Sequence, residues 1–448
     1  MDHLGLLAAK TAAASVPADV RAKSALILAD TIGSIVGGAT ELEVCALAKR
    51  LAGEGRGNAV AIGRGLQTSP KIAALLNGTA GTALEMDEGH QFAKGHPAIH
   101  VIPALLATVT GAKHSGQDLL DAITMGYEAA ARVGTATSLR PSMHPHGTWG
   151  AIGAAVGVLR LSGMSAEQHR DAMNMAASLG STPSRNTMLE GGTVRNIFAG
   201  VSNQMGLIVA DLVEAGFCGD RDGVAQVFGK TVSDTFDETE LSNDLGSRWE
   251  VMRNYFKMHS CCRFNHAALD ALDLLLEDVT DIMPDDIAKI MVDTYGMAVE
   301  LDDPTPRNVL AAKFSVPFAI ATRFVNGSTS VDSFTAERVS DETTLALAQR
   351  VELREDKEMS ARLPDERPAR VCLTTRDGRK FTAEIRTNRG DYRDPFTVNQ
   401  LHKKFLSLSA RLWSQDHSEA VWSACLGLDG AESAAHLLDL LQIGERSA

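Results

Sequence analysis

Four segments of this 448-residue chain gather histidines, arginines and acids beyond what packing needs. The first, residues 85–100, carries Glu85, Asp87, Glu88, His90, Lys94, His96 and His100. Three histidines with three acids upstream could ligate a divalent metal, work as an acid–base loop, or decorate a polar surface loop. The second, residues 140–150, carries Arg140, His144 and His146, and no acid occurs between Glu128 and Glu167. Its Gly147-Thr-Trp-Gly150 piece opens a small-residue helix over Ala151–Leu161, whose N-terminus can hold an anion. A loop with exposed basic residues is the alternative. In the third, Gly191-Gly192 leads into a helix with Arg195 in its first turn. A cation there opposes the helix dipole and invites an anion, from a ligand or from a neighbouring Glu. The fourth, residues 253–266, holds Lys257, His259, Cys261, Cys262, Arg263 and His266, with no acid between Glu250 and Asp270. Adjacent cysteines cannot easily share one tetrahedral zinc and no C-x-x-C is present. A basic turn that receives an acidic small molecule fits better.

One chemistry uses all four segments. Cations bind a small polycarboxylate, and a proton moves at a carbon beside a carboxylate. Such a C–H is weakly acidic, so the site needs a base tuned near neutral pH, a histidine or a desolvated carboxylate. It also needs donors where enolate charge develops.

The composition bounds the partners. Lys and Arg number 43 against 56 Asp and Glu, a net charge of −13. That argues against nucleic acid, whose affinity rests on Lys and Arg meeting phosphates, and against acidic lipid surfaces. The six cysteines form no regular framework, which suits a reduced cytoplasmic compartment. The opening residues, with Asp2 and no basic n-region, make a poor signal peptide. No uninterrupted apolar run reaches about 18 residues, so no membrane span is expected.

The elements that must position these residues are mostly helical. Pro17 starts a helix carrying Ala22, Ala25, Leu26, Ala29, Ile32 and Val36 at helical spacing. Ser69-Pro70 opens Lys71–Met86, and Ser165 with Gln168 forms a capping box before Arg170–Ser178. Gln117–Val133 and Arg195–Ala215 are further long helices. Apart from a short extended piece at Ala59–Ile62, no strand pair is expected before about residue 285. Ile287–Thr294 then alternates as a strand does, helices follow at Lys313–Phe324, Val331–Glu337 and Glu342–Gln349, and Arg350–Leu353 and Ala369–Thr375 read as strands. Asp377-Gly378 turns the chain back through Phe381–Arg386. Thr397–Ala410 is helical again. The fold class is therefore mainly α: a large all-helical domain over 1–266 and 397–448, interrupted by a smaller α+β lid domain over 267–396.

The motifs together resemble the MmgE/PrpD family of 2-methylcitrate dehydratases and cis-aconitate decarboxylases, which also contains iminodisuccinate epimerase. The resemblance covers essentially the whole chain. It is carried by Asp30-Thr-Ile-Gly33, Asn77-Gly78 through Asp87, Gly95-His96-Pro97, Met143-His144-Pro145, Cys261–His266 and Ala312-Lys313-Phe314-Ser315. It implies that His96, His144 and His266 line the active site with Asp87, and that Glu85 stands where the decarboxylase branch carries Asp. It further implies a homodimer, a small carboxylate as substrate, a site between body and lid, and no cofactor or metal. Three positions depart from the pattern. Arg195 falls where many members carry a pocket Lys; Arg cannot readily serve as a base, so its expected role, with Arg263, is to hold substrate carboxylates. Glu300 replaces the lid tyrosine of the decarboxylase branch, and Gly89 replaces a pocket Thr. These changes weaken a cis-aconitate decarboxylase assignment and leave dehydratase, epimerase or another α-proton chemistry open; the leading expectation is a 2-methylcitrate dehydratase-like hydro-lyase, with an epimerase of the iminodisuccinate type or a cis-aconitate-type decarboxylase as the alternatives. A metal hydratase using His90, His96 and His100, and a non-catalytic helical binding protein, stand further off.

Overall fold

The computed structural model describes residues 2–109, 114–277, 279 and 281–444. The chain forms two compact units: Met1–Arg185, Asn196–Tyr255 and Thr397–Ala448 make the first, and Asn186–Arg195 and Phe256–Phe396 the second.

The first unit is a packed set of helices, chiefly Ala18–Gly38, Pro70–Ala83, Pro97–Thr108, Gly116–Ala136, Gly150–Leu161 and Phe198–Glu214. Their starts are written locally. Ser115 with Asp118, and Ser165 with Gln168, close reciprocal capping boxes, and Pro70 holds the first position after Ser69. Their buried faces are rich in Ala and Gly, so backbones approach closely. A Cβ on Gly78 would lie 2.8 Å from the Gly200 Cα, so these two glycines let Pro70–Ala83 and Phe198–Glu214 cross at contact distance.

This unit is not wholly helical. Among the described residues three small antiparallel pairs interrupt it: β1 (Ala59–Ala61) with β2 (Leu66–Thr68), β3 (Gly89–His90) with β6 (Asn254–Tyr255), and β4 (Thr137–Leu139) with β5 (Ser233–Phe236). Strands of two to four residues carry no visible alternation, and two of the pairs join distant segments. The expected helix from Arg195 begins as a 3₁₀ turn, Thr193–Ile197, before Phe198–Glu214. By length and composition alone Thr193–Glu214 could cross a membrane, a feature that a search for uninterrupted apolar runs passes over. Half of its apolar window is buried within the protein.

The second unit is built on a four-stranded sheet of order β10-β9-β7-β8: Lys380–Ile385, Ala369–Thr375, Ile287–Thr294 and Val351–Glu355. The β7–β8 pair is parallel and the others antiparallel. Ala369, Val371, Leu373 and Thr375 alternate inward along β9. The helix Arg263–Glu277 buries Ala267, Ala268, Leu272 and Leu275 in the same core as Val371 and Leu373. That burial moves the boundary earlier than residue 267, since this helix belongs with the sheet. The stretch Lys313–Phe324 divides into Val309–Lys313 and Val316–Asn326. Ser315 caps the second helix by accepting from the Phe318 N–H, and Pro317 occupies its first turn.

Candidate active site

In the first unit the loop after Pro70–Ala83 is fixed by its own backbone and by one buried acid. Glu85 takes φ 55°, a left-handed conformation uncommon for a non-glycine residue, and turns the chain out of the helix. The Lys404 ammonium, itself buried, donates to the Met86 carbonyl at 2.7 Å and to Asp30 Oδ1 at 2.6 Å. Glu88 is fully buried. Its Oε1 accepts from the Ala98 N–H at 2.8 Å, and its Oε2 lies 3.1 Å from the Tyr127 hydroxyl. Burial pushes its carboxyl up to about 8, against the pull of these hydrogen bonds, so Glu88 is neutral at pH 7.

That protonation has a measurable consequence. Between about pH 5 and 8 the folded protein holds one proton that the unfolded chain has released, so this group makes stability fall as pH rises. The slope for one group is about 1.4 kcal/mol per pH unit. Glu88→Gln keeps an acceptor for Ala98 and a donor for Tyr127 but cannot titrate. Urea unfolding of this variant against the parent is expected to show a stability gain that grows from pH 5 to pH 7. A gain independent of pH would mean that Glu88 is already ionised.

His96 stands at the end of this loop. Its Nδ1 lies 2.6 Å from the Glu88 carbonyl oxygen and 3.3 Å from Asp87 Oδ2. Both neighbours are acceptors, so Nδ1 carries the proton, and in the neutral ring Nε2 carries the lone pair. His144 is set the other way. Its Nδ1 accepts from the His146 N–H at 3.0 Å, which leaves the proton on Nε2. His146 joins the two, with ring centroids 5.3 Å from His96 and 5.8 Å from His144. Behind it, His100 Nε2 lies 3.3 Å from His146 Nδ1, and both rings are fully buried. Residues 85–100 and 140–150 thus meet as one histidine cluster. Glu85, buried, opens the loop that carries Asp87 and His96.

The metal triplet suggested by spacing does not assemble. The buried His90 points Nε2 at Glu250 Oε2, 3.0 Å away, and its Nδ1 accepts from the Ala93 N–H. Burial alone would raise the Glu250 carboxyl, but His90, Arg253 and Arg248 hold it well below the usual range. His90 therefore donates from Nε2 to Glu250, inside a structural cluster whose positive charge comes from Arg248 and Arg253.

The second unit carries the remaining predicted residues. His266 is buried at the start of Arg263–Glu277, and its Nε2 donates to the Cys261 carbonyl at 3.1 Å, leaving Nδ1 as the acceptor. Burial, and then His259 and Lys257 nearby, hold its pKa well below the ordinary value, so the ring is neutral. Arg195 is buried with its guanidinium 5.4 Å from the centre of the Phe314 ring. Arg263 has a carboxylate within its own unit: Nη2 lies 2.6 Å from Asp391 Oδ2, and Nε donates to Asn388 Oδ1 at 3.1 Å. Two of its donors are already committed, a pairing invisible in sequence because Asp391 lies far along the chain. Glu300 is exposed at the end of a short helix, Gly296–Val299. His259, Asp270 and Asp273 bring ligand atoms within 4.8 Å of one another. Hydrogen bonding accounts for them, since His259 lies between Asp270 and Thr329, and Arg323 pairs with Asp273.

Sequence reasoning named His100 only as a candidate metal ligand, and gave no individual role to His146 or Tyr255 in the first unit or to the buried Lys257 and Lys313 in the second. The lysines had a signal, since both fall in segments read as motif. His146 had one in its spacing to His144.

The MmgE/PrpD N-terminal domain model matches residues 2–237 and the MmgE/PrpD C-terminal domain model residues 259–428. Among curated relatives, cis-aconitate decarboxylase-like protein oryM of Aspergillus oryzae is 24% identical, over 95% of this chain and 94% of its own length. Cis-aconitate decarboxylase of Aspergillus terreus is 22% identical over 98% and 95%, and that of Homo sapiens 22% identical over 84% and 80%. These relatives are lyases acting on a carboxylate. The two domain models together span most of the chain, in the order in which the helical body and the sheet-bearing unit follow one another, and the chain belongs to the MmgE/PrpD family.

Proposed function

We propose that the protein is a lyase that eliminates water across two carbons of a small di- or tricarboxylate, a 2-methylcitrate dehydratase-like hydro-lyase. The observation that carries this reading is the opposite tautomers of His96 and His144. His96 Nε2 offers a lone pair and takes the proton from the carbon beside a carboxylate. The C–H electrons form the carbon–carbon double bond, and the hydroxyl leaves from the neighbouring carbon with the proton of His144 Nε2. Asp87, beside His96 Nδ1, orients the ring and stabilises the imidazolium that forms. The products are an alkene carboxylate and water, and no electron is gained or lost. The second unit's Arg195 and Arg263 are proposed as carboxylate holders and His266 as a neutral hydrogen-bonding partner. The compartment is proposed to be cytoplasmic and the assembly a homodimer.

A second reading, decarboxylation of cis-aconitate, is favoured by the names of the relatives that match along the whole chain. Proton NMR in deuterium oxide separates the two on a panel of citrate, 2-methylcitrate, cis-aconitate and amino-dicarboxylates. Dehydration gives an alkene at constant carbon count, decarboxylation releases carbon dioxide, and epimerisation leaves solvent deuterium on an intact skeleton. Dehydration is the expected result. No turnover of any member would overturn the assignment.

A further inference from the structure

Position 89 is a glycine for a reason that lies on another segment. β3 and β6 pair antiparallel with Gly89 directly opposite Tyr255. A Cβ on Gly89 would lie 2.3 Å from the Tyr255 hydroxyl oxygen and 2.4 Å from the ring carbon bearing it, closer than any real contact allows. The phenol therefore fills the volume in which a side chain at position 89 would stand. Directly opposed strand residues share one face of their pair, and here one of the two supplies the whole of that face. The same ring meets His96 edge-on, with centroids 6.3 Å apart and planes at 72°, and Tyr255 is buried. A phenol is rigid and carries one polar atom, which can donate to an anionic oxygen as well as accept.

We propose that Tyr255 is a specificity-determining residue, whose hydroxyl, folded across Gly89 beside His96, hydrogen-bonds a carboxylate or hydroxyl oxygen of the substrate. The inference rests on the reading of His96 as the reacting base. It makes residues 89 and 255 a coupled pair that can only be exchanged together.

Two measurements test it. The first compares kcat and KM of the parent and Tyr255→Phe on citrate, 2-methylcitrate and cis-aconitate. Phe keeps the ring against Gly89 and His96 and removes only the hydroxyl. Loss of one hydrogen bond to a charged group is expected to lower kcat/KM by about tenfold to a hundredfold, unevenly across the three probes. Unchanged kcat/KM and an unchanged ranking would overturn the proposal while leaving the assignment of His96 in place. A parent protein silent on every probe would overturn both. The second measurement needs no substrate. Gly89→Ala is expected to lower the urea midpoint in the parent, and to do so much less in a Tyr255→Ala background, where the phenol no longer occupies the space. Equal losses in both backgrounds would mean that the two residues do not share one volume, and would overturn the proposal even if Tyr255→Phe were too unstable to assay.

Discussion

Replacing His96 with alanine is expected to lower kcat by about a hundredfold to ten-thousandfold, the range that a positioned general base supplies. The reason lies in the bonds at its Nδ1. A proton fixed between the Glu88 carbonyl and Asp87 leaves Nε2 with the lone pair. His144 is expected to be the weaker loss when replaced by Gln, which keeps a donor that can reach the leaving hydroxyl. Asp87→Asn should fall between them. The Glu88 carbonyl still holds the tautomer, so what is removed is the charge that stabilises the imidazolium, and kcat should drop while KM changes little. His96 is partly exposed at the loop end, so the alanine variant should unfold near the parent's midpoint. The acidic limb of the kcat/KM profile against pH, which reports protonation of the base in the free enzyme, should also vanish in His96→Ala. Near-normal turnover by His96→Ala, on a substrate that the parent turns over, would place the base elsewhere.

What could be read in advance follows the range of the interactions. The strands Ile287–Thr294 and Ala369–Thr375 were legible to the residue because their apolar recurrence is local: Ala369, Val371 and Leu373 alternate inward, and Ile287, Ile290 and Val292 are buried along the other strand. The capping box at Ser165 and Gln168 spans one turn and was equally legible. Signals within one segment also pointed to the candidate site: acid-free stretches, histidines in pairs, an arginine at a helix start. The break at Phe314–Ser315 could have been seen, because a capping Ser followed by Pro317 says that a helix begins there. The β3–β6 pair could not, since two residues pairing across most of the first unit leave no period to detect. The same holds for the roles within the histidine cluster. Which nitrogen of His96 or His144 carries the proton is decided by a backbone carbonyl in one case and a backbone N–H in the other, and neither is encoded in residue type. Arg263 shows the same limit of range, since two of its donors meet Asn388 and Asp391, partners too distant along the chain for an acid-free segment to reveal.

The second large effect is expected at a residue with no place in the chemistry. Lys404 comes from Val398–Ser409, after the chain has returned from the second unit, and its ammonium bridges Asp30 and the Met86 carbonyl at the centre of the first. Both charged side chains are 2% exposed. Forming such a pair from water contributes little net stability, because two charges lose their hydration, but breaking it strands a buried carboxylate. Lys404→Met should therefore cost about 3–5 kcal/mol in urea unfolding. Lys23 softens the loss. Burial lowers its pKa to about 8, so it is still mostly charged at neutral pH near Asp30. The loss should consequently grow as pH rises through 8 and Lys23 discharges. Pairing the change with Asp30→Leu, which removes the stranded charge, should recover most of the stability and none of the hold on Met86. That separation gives the test its force. Met86 lies between Glu85, held at positive φ, and Asp87, so releasing its carbonyl frees the turn that aims Asp87 at His96. The double variant is expected to fold nearly as well as the parent and still turn over substrate at least tenfold more slowly, with kcat rather than KM carrying the loss. A stable double variant with full activity would show that the ion pair serves folding alone, and that the loop needs no anchor beyond Glu88.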